Sequence, residues 1–250
     1  MAIKLTDKGG NFDPIPAGVH QAVCYGVADI GTQPTNNPLH KPARKIVLLF
    51  ELPFERADFG ERKNAPRGSS VTLTQSLNEK AILRKMLKSW RGRDFTPQEM
   101  EGFDPKVLIG QNCQLNIVHE AKGDKTFANI TSIMPLGKGM TKQKQENPTL
   151  YFSLDEQDLT SVKYPQNMPQ WIQKKIAFCE EVMKATGADG GDGQTDWGAN
   201  DEAARAAHEE EDRKHAEASQ SGDTQTYAPP TKAHTPKPSV QEDTSEDVPF

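Results

Sequence analysis

The sequence predicts a mainly β protein with an additional C-terminal helix and a disordered acidic tail. Short apolar runs bounded by Gly, Pro or Asn indicate strands at residues 18–31, 45–52 and 70–77. A helical period follows, and two further alternating segments, 112–120 and 125–136, are joined by the turn sequence AKGD. Three strands, an inserted helix and a two-stranded hairpin are the element order of a five-stranded OB-fold barrel. An SH3-like barrel or a generic α+β sandwich would accept part of this pattern, and the helix after the third strand favours the OB-fold.

The second strand, KIVLLFEL, is apolar on both of its faces. Ile46, Leu48 and Phe50 alternate with Val47 and Leu49. Only one face of a small barrel points inward. Whichever of these two rows faces outward is therefore expected to be either a stacking surface or a covered surface.

Two helices are predicted between the third and fourth strands. Apolar residues recur at helical spacing over residues 82–90, and Gly92 ends the run. Ser76 and Glu79 form an S-x-x-E pattern that predicts the start of this helix. The sequence TPQE at residues 96–99 predicts the start of a second, short helix, because it combines a capping box with proline at the first helical position.

Charge is distributed unevenly along the chain. Residues 1–145 carry 21 Lys and Arg against 14 Asp and Glu, a net charge of +7. Residues 146–186 carry 4 against 6, and residues 187–250 carry 5 against 15, a net charge of −10. A basic body joined to an acidic tail is typical of proteins that interact with nucleic acid.

Several classes of protein are disfavoured by the sequence. Cys24, Cys113 and Cys179 lie far apart without a C-x-x-C pattern, which argues against a disulfide scaffold or a zinc site. An apolar signal core and a run of about eighteen apolar residues are both missing, so we expect a cytoplasmic protein. Hydrolase, nucleotide-binding and metalloprotease motifs are also missing, and His119 and Glu120 would face opposite sides of a strand. The expectation is a protein that is not an enzyme and that needs no cofactor or metal.

The tail has too little apolar surface to fold. Residues 187–250 contain only three residues of the Leu, Ile, Val and Phe class, so we expect residues 188–250 to be disordered. Its last nine residues, EDTSEDVPF, place carboxylates before a terminal phenylalanine. An aromatic ring and a carboxylate at one point suit a partner pocket with a basic rim.

Residues 141–187 are expected to connect the barrel to the tail. Apolar residues from Trp171 to Met183 predict a helix of about four turns that ends at Gly187. Such a short helix is marginal alone, so its apolar stripe is expected to pack either on the barrel or on another copy of the chain.

An OB-fold binds oligonucleotides on strands two and three, between the loops that join strands one to two and four to five. Cations there would neutralise phosphates, and aromatic rings would stack on bases. The alternative for each cation is that it is only a solvated surface charge and does not contact DNA. The candidate DNA-binding residues are Lys41, Arg44, Phe54, Arg56, Phe59, Arg62, Lys63, Arg67, Arg91, Arg93, Lys122 and Lys125.

The tip EDTSEDVPF resembles the C-terminal tip of bacterial-type single-stranded DNA-binding proteins, which end on acidic residues, a hydrophobic residue, Pro and Phe. Thr244 and Ser245 depart from that pattern by interrupting the acidic cluster. The body resembles bacteriophage replication and recombination proteins regarded as single-stranded DNA binders, over roughly residues 15–136. The stretches that carry this second resemblance are IPAGVHQAVCYGVADIGTQ, LLFELPFE, SLNEKAILRKMLKSWRGRDFTPQEMEGFD and LIGQNCQLNIVHE.

These resemblances imply a phage protein of the infected bacterial cytoplasm that coats single-stranded DNA. The implied organisation is an N-terminal arm at 1–14, an OB-fold at 15–140, the connecting segment and the tail. Replication or recombination proteins would bind the tip, Glu246, Asp247, Val248, Pro249 and Phe250. The alternative is a phage adaptor whose barrel binds protein and whose acidic tail mimics nucleic acid. Self-association stays open.

Overall fold

The computed structural model describes residues 13–35, 41–123 and 125–188. The prediction of a mainly β protein is confirmed, since this part of the chain forms a curled antiparallel half-barrel of five strands with a few helices. The predicted arm at 1–14 lies almost entirely outside the described residues. The predicted disordered tail also lies outside the described residues, except for residue 188. Its tip, Glu246–Phe250, is part of this undescribed segment.

The five main strands form one sheet in the order β3-β2-β1-β4-β5, with antiparallel neighbours. The edges β3 and β5 approach each other, with Cα atoms within 8 Å, and α1 packs against both. A short strand, β6, pairs in parallel with β1 beyond the end of β4. The strands are β1 (Gly18–Gln33), β2 (Ala43–Phe59), β3 (Arg62–Thr74), β4 (Asn112–Lys122), β5 (Lys125–Met134) and β6 (Leu150–Phe152). The helices are α1 (Ile82–Arg91), α2 (Pro97–Glu101), α3 (Gln170–Ala177) and α4 (Glu180–Thr186), with 3₁₀ turns at Pro105–Leu108 and Leu154–Glu156.

The strands predicted at residues 45–52 and 70–77 imply a loop between them, and this loop is wrong. Both strands continue through it as a hairpin that turns between Phe59 and Arg62, with Gly60 in the left-handed region at φ 59°. The pairing register shifts between Leu52 and Arg56, where Pro53 cannot donate a backbone hydrogen bond, and then resumes. Because a bulge absorbs the proline, it does not end the strand.

The two predicted helix starts have different outcomes. The Ser76–Glu79 capping box is wrong, because α1 has Ala81 as its N-cap and makes no side-chain cap hydrogen bond. Ser76 Oγ accepts instead from the backbone of Asn78, 3.2 Å away, in a local turn. The second box is confirmed, since Thr96 Oγ1 accepts from the Glu99 N–H and Glu99 accepts from the Thr96 N–H.

The inner face of the sheet packs on α1. Ile46, Leu48 and Phe50 of β2 are buried there. The Trp90 ring lies 5.8 Å from that of Phe50, and its indole N–H donates to the Asn112 carbonyl at 3.1 Å. This bond satisfies the polar atom of a side chain that is otherwise enclosed.

The outer row of β2 is covered by the C-terminal part of the described chain. Val47 and Leu49 belong to one buried cluster with Leu150, Phe152 and Ile172. Both α3 and α4 pack on β1 beside this cluster. Of the two alternatives for the outer row, burial under another segment is therefore the one observed, and the apolar stripe packs on its own sheet.

The single four-turn helix predicted for this segment is wrong, because α3 and α4 are separated at Phe178 and Cys179. Cys179 is extended at ψ 153° and fully buried. The break lets Glu181 accept from the N–H and the hydroxyl of Thr32, at 2.8 and 2.7 Å. Docking on β1 thus outweighs helical continuity, and Gly187 ends α4 as predicted, at φ 66°.

Gly31→Ala tests this docking. Gly31 has φ +69°, and an added Cβ would lie 2.7 Å from Cys179 Sγ. Left-handed strain and overpacking together should lower the free energy of unfolding by about 3 kcal/mol in urea denaturation. Gly60→Ala is the matched control, because Gly60 has φ +59° with no atom within 4 Å of the added Cβ. The free energy of unfolding of Gly60→Ala should fall by about 1 kcal/mol. Equal decreases for the two variants would contradict the docking.

Candidate nucleic-acid interface

The ends of β2 and β3 form a projecting hairpin, residues 53–67, here called the ribbon. Arg56 stiffens it by donating to the carbonyls of Asn64 and Pro53 at 2.7 and 3.0 Å. The same guanidinium binds both carboxylate oxygens of Glu146 at 2.8 Å. Those hydrogen bonds lower the pKa of Glu146 below its ordinary value. Arg56 is thus a structural clamp as well as a surface cation.

The other predicted ribbon residues differ in what they contact. Arg62 donates to Asn147 Oδ1 at 2.8 Å, and Lys63 forms an exposed ion pair with Asp58 at 3.1 Å. Arg67 donates to the carbonyls of Asp13 and Pro14. Phe54 lies in the bulge with 66% of its surface exposed, whereas Phe59 is half-buried. The ribbon therefore presents cations beside one solvent-facing aromatic ring.

Arg44 and Lys41 lie at the opposite end of β2 from the ribbon. Arg44 is a strand residue whose guanidinium pairs with Asp29 and, at 2.7 Å, with Asp155. The hydrogen bond to Asp29 raises the pKa of Arg44 above its ordinary value. Lys41 is exposed next to residues 36–40, which lie outside the described chain.

Arg91 is not a surface residue, so its inclusion among the DNA contacts is corrected. Its side chain is fully buried, paired with Glu99, and its guanidinium lies 4.6 Å from the Phe95 ring and 5.3 Å from the Phe103 ring. Arg93 binds the same carboxylate at 2.8 and 2.9 Å. These contacts, led by the bond from Arg93, hold the pKa of Glu99 well below its usual range. Arg91 and Arg93 fasten α2 to the end of α1.

Lys122 and Lys125 are exposed and face each other at the β4–β5 turn. This turn lies at the end of the sheet where β1 begins, because Gly18 pairs with Ile117. The ribbon projects from the same end, since His20 contacts Glu55 at 3.1 Å. The structure therefore brings the ribbon and the β4–β5 turn to one end of the sheet. It leaves Lys41 and Arg44 at the other end of β2, where Arg44 is about 30 to 50 Å from the ribbon residues of that strand at 3.3 Å per residue.

Residues 135–149, here called the strap, cross the outer face of the sheet and were missed as a candidate from the sequence. Gln21 donates to the Thr141 carbonyl at 2.8 Å. Asn112 accepts from the Gln143 N–H at 2.8 Å and donates to its carbonyl at 3.0 Å. Side-chain amides on β1 and β4 thus replace the backbone pairing that the strap lacks.

Glu51 of β2 is the third anchor of the strap, and it is fully buried. Its carboxylate accepts from the N–H groups of Glu146 and Asn147 at 2.6 and 2.7 Å and from Asn147 Nδ2 at 2.7 Å. Burial and the nearby Glu51 charge raise the pKa of Tyr25 to about 12. The usable sequence signal was the set of polar side chains Gln21, Glu51 and Asn112 at outward positions of strands.

Neither a known protein-family model nor a curated protein sequence matches the chain. Within the described residues, no helix is both long and apolar enough to cross a membrane. No group of three or more His, Cys, Asp or Glu in that part of the chain could hold a metal ion. The three cysteines are buried free thiols, and burial raises the pKa of Cys24 to about 12.

Glu51→Ala tests the anchoring of the strap. The change leaves two part-buried backbone N–H groups and the Asn147 amide without their acceptor, so the free energy of unfolding should fall by about 3 kcal/mol. Hydrogen exchange at the amides of Glu146 and Asn147 should become faster than in the wild type. Glu61→Ala is the control, because Glu61 is exposed at the ribbon turn and its loss should change stability by less than about 0.5 kcal/mol. Equal effects of the two variants would show that Glu51 does not hold the strap.

Proposed function

We propose that the half-barrel is an OB-fold and that the protein binds single-stranded DNA with little sequence preference. The strand order β3-β2-β1-β4-β5, the helix α1 between β3 and β4, and the approach of β3 to β5 support the OB-fold. Partly open five-stranded barrels of this order bind oligonucleotides across strands two and three. The ribbon is the extension of those two strands.

The observation that carries the proposal is the composition of the ribbon. The ribbon carries Arg56, Arg62, Lys63 and Arg67 together with Phe54, which is 66% exposed. A largely exposed phenylalanine ring can stack on any unpaired base. The neighbouring cations would neutralise phosphates whatever the sequence.

The biological setting follows from the sequence resemblance. The protein acts in phage DNA replication or recombination, in the cytoplasm of the infected host, by coating exposed single strands. The tail supplies the second role, because the acidic tip would bind replication or recombination proteins through Phe250. This division assigns DNA to the barrel and protein partners to Glu246–Phe250.

A second candidate function is an adaptor whose barrel binds protein and whose acidic tail mimics nucleic acid. Internal ion pairing favours it, since Arg44, Arg56, Arg91 and Arg93 all bind carboxylates of the same chain. Cations committed in this way contribute less to phosphate binding. The basic excess of residues 1–145 favours DNA binding over the adaptor.

A titration of labelled oligo-dT against duplex of equal length distinguishes the two functions. Stacking requires unpaired bases, so single strands should bind more tightly than duplex. With roughly four phosphates neutralised, log affinity should fall with log salt at a slope of about −3. Equal affinity for both forms, or affinity that does not change with salt, would defeat the coating function.

Phe250→Ala tests the role of the tip in the full-length chain. The variant removes the aromatic anchor and leaves every side-chain charge in place, so affinity for oligo-dT should change by less than twofold. Pull-down of replication or recombination proteins should be lost. Deletion of residues 242–250 should give the same loss of partners, with DNA binding intact or modestly tighter at low salt. Recovery of the same partners without the tip would identify the tail as a solubility element.

A further inference from the structure

The strap presents its residues alternately to the sheet and to solvent. Gln143, Gln145 and Asn147 are partly buried on the sheet side, whereas Lys142 and Lys144 are exposed. This alternation is that of an extended chain, and the backbone is fixed on both sides of the two lysines by Gln21, Asn112 and Glu51. Lys138 is also exposed, just before the first anchor. The strap is therefore a fixed support for a row of lysines.

The spacing of Lys142 and Lys144 suits an extended single strand, and Lys138 lies in the turn before them, where the Met140 N–H donates to the Gly137 carbonyl. Residues two apart in an extended chain are separated by about 6.6 Å, which is comparable to neighbouring phosphates of a stretched single strand. Because its anchors hold the strap before any ligand arrives, little backbone entropy would be lost on binding. A Lys ammonium binds a phosphate as a point charge and needs no specific base.

The acidic residue between the row and the ribbon is paired within the chain. Glu146 is the next outward residue after Lys144, but Arg56 binds both of its carboxylate oxygens. Asn147 then receives the guanidinium of Arg62 at 2.8 Å. Arg56 also donates to the Pro53 carbonyl, directly before the exposed ring of Phe54. Cations thus lead from the strap to a surface on which a base can stack.

We propose that the backbone of single-stranded DNA runs along the strap, contacts Lys138, Lys142 and Lys144, and reaches the ribbon at Arg62 and Phe54. This path rests on the proposed function and specifies its surface. The strap and the apolar cluster cover the outer face of β1 and β2, so bases do not stack on Val47 or Leu49. Stacking is confined to the ribbon end of the path.

The test compares two triple variants of the full-length protein in oligo-dT titrations over a range of salt. K138A/K142A/K144A removes the row, and K80A/K163A/K184A removes three exposed lysines elsewhere. Loss of three phosphate contacts should flatten the salt slope by about 2 and weaken binding about 100-fold at 0.1 M salt. The control variant should bind within threefold of the wild type.

Unchanged thermal unfolding of both variants would show that the lysines act on DNA and not on stability. Acetylation of the wild-type protein gives an independent readout that needs no variant: oligo-dT should protect Lys138, Lys142 and Lys144 more than Lys80, Lys163 and Lys184. If the wild type binds oligo-dT but the two triple variants behave alike and protection is uniform, the strap path is overturned while the proposed function stands. A wild type that does not bind oligo-dT overturns both.

Discussion

The buried carboxylate of Glu51 is the interaction on which the outer half of the molecule depends. A carboxylate without solvent must be compensated by hydrogen bonds, and Glu51 receives three from Glu146 and Asn147. That attachment fixes the strap directly before β6, which adds to the edge of β1 at Gly26. The path of the chain from the strap into β6 is therefore held by this polar anchor on β2, together with Gln21 on β1 and Asn112 on β4.

The sheet is apolar on both faces, and each face is covered by another part of the chain. The anchored strap leads the chain to the outer face. On the inner side α1 covers Phe50, and on the outer side the C-terminal segment covers Leu49. Gly26 permits this second layer, since an added Cβ would lie 3.0 Å from Leu150 Cβ. With both faces of the central strands occupied, ligand contacts are left to parts that project or cross over the sheet, which here are the ribbon and the strap.

Cations of the described chain differ in how far they are buried and in what they contact. Arg44, Arg91 and Arg93 bind carboxylates that hold separate elements together, and Arg91 does so without any exposed surface. Lys142 and Lys144 are exposed beside a carboxylate already bound by arginine. A charge count along the sequence treats buried and exposed cations alike, although their surroundings differ.

Local sequence was sufficient for the elements that depend on local physics. Alternation located β1, β4 and β5, the Thr96 capping box started α2, and Gly92 ended α1 with its left-handed backbone. The Ser76–Glu79 pattern did not start α1 because the Ser76 hydroxyl accepts a hydrogen bond in a local turn instead. The strand that continues past Pro53 was not predicted because a bulge depends on the partner strand as well.

The cover over Val47, the break at Cys179, the burial of Arg91 and the path of the strap were decided only by tertiary structure. Each of these depends on partners distant in sequence, whose contacts outweigh local preference and leave no periodic signal along the chain.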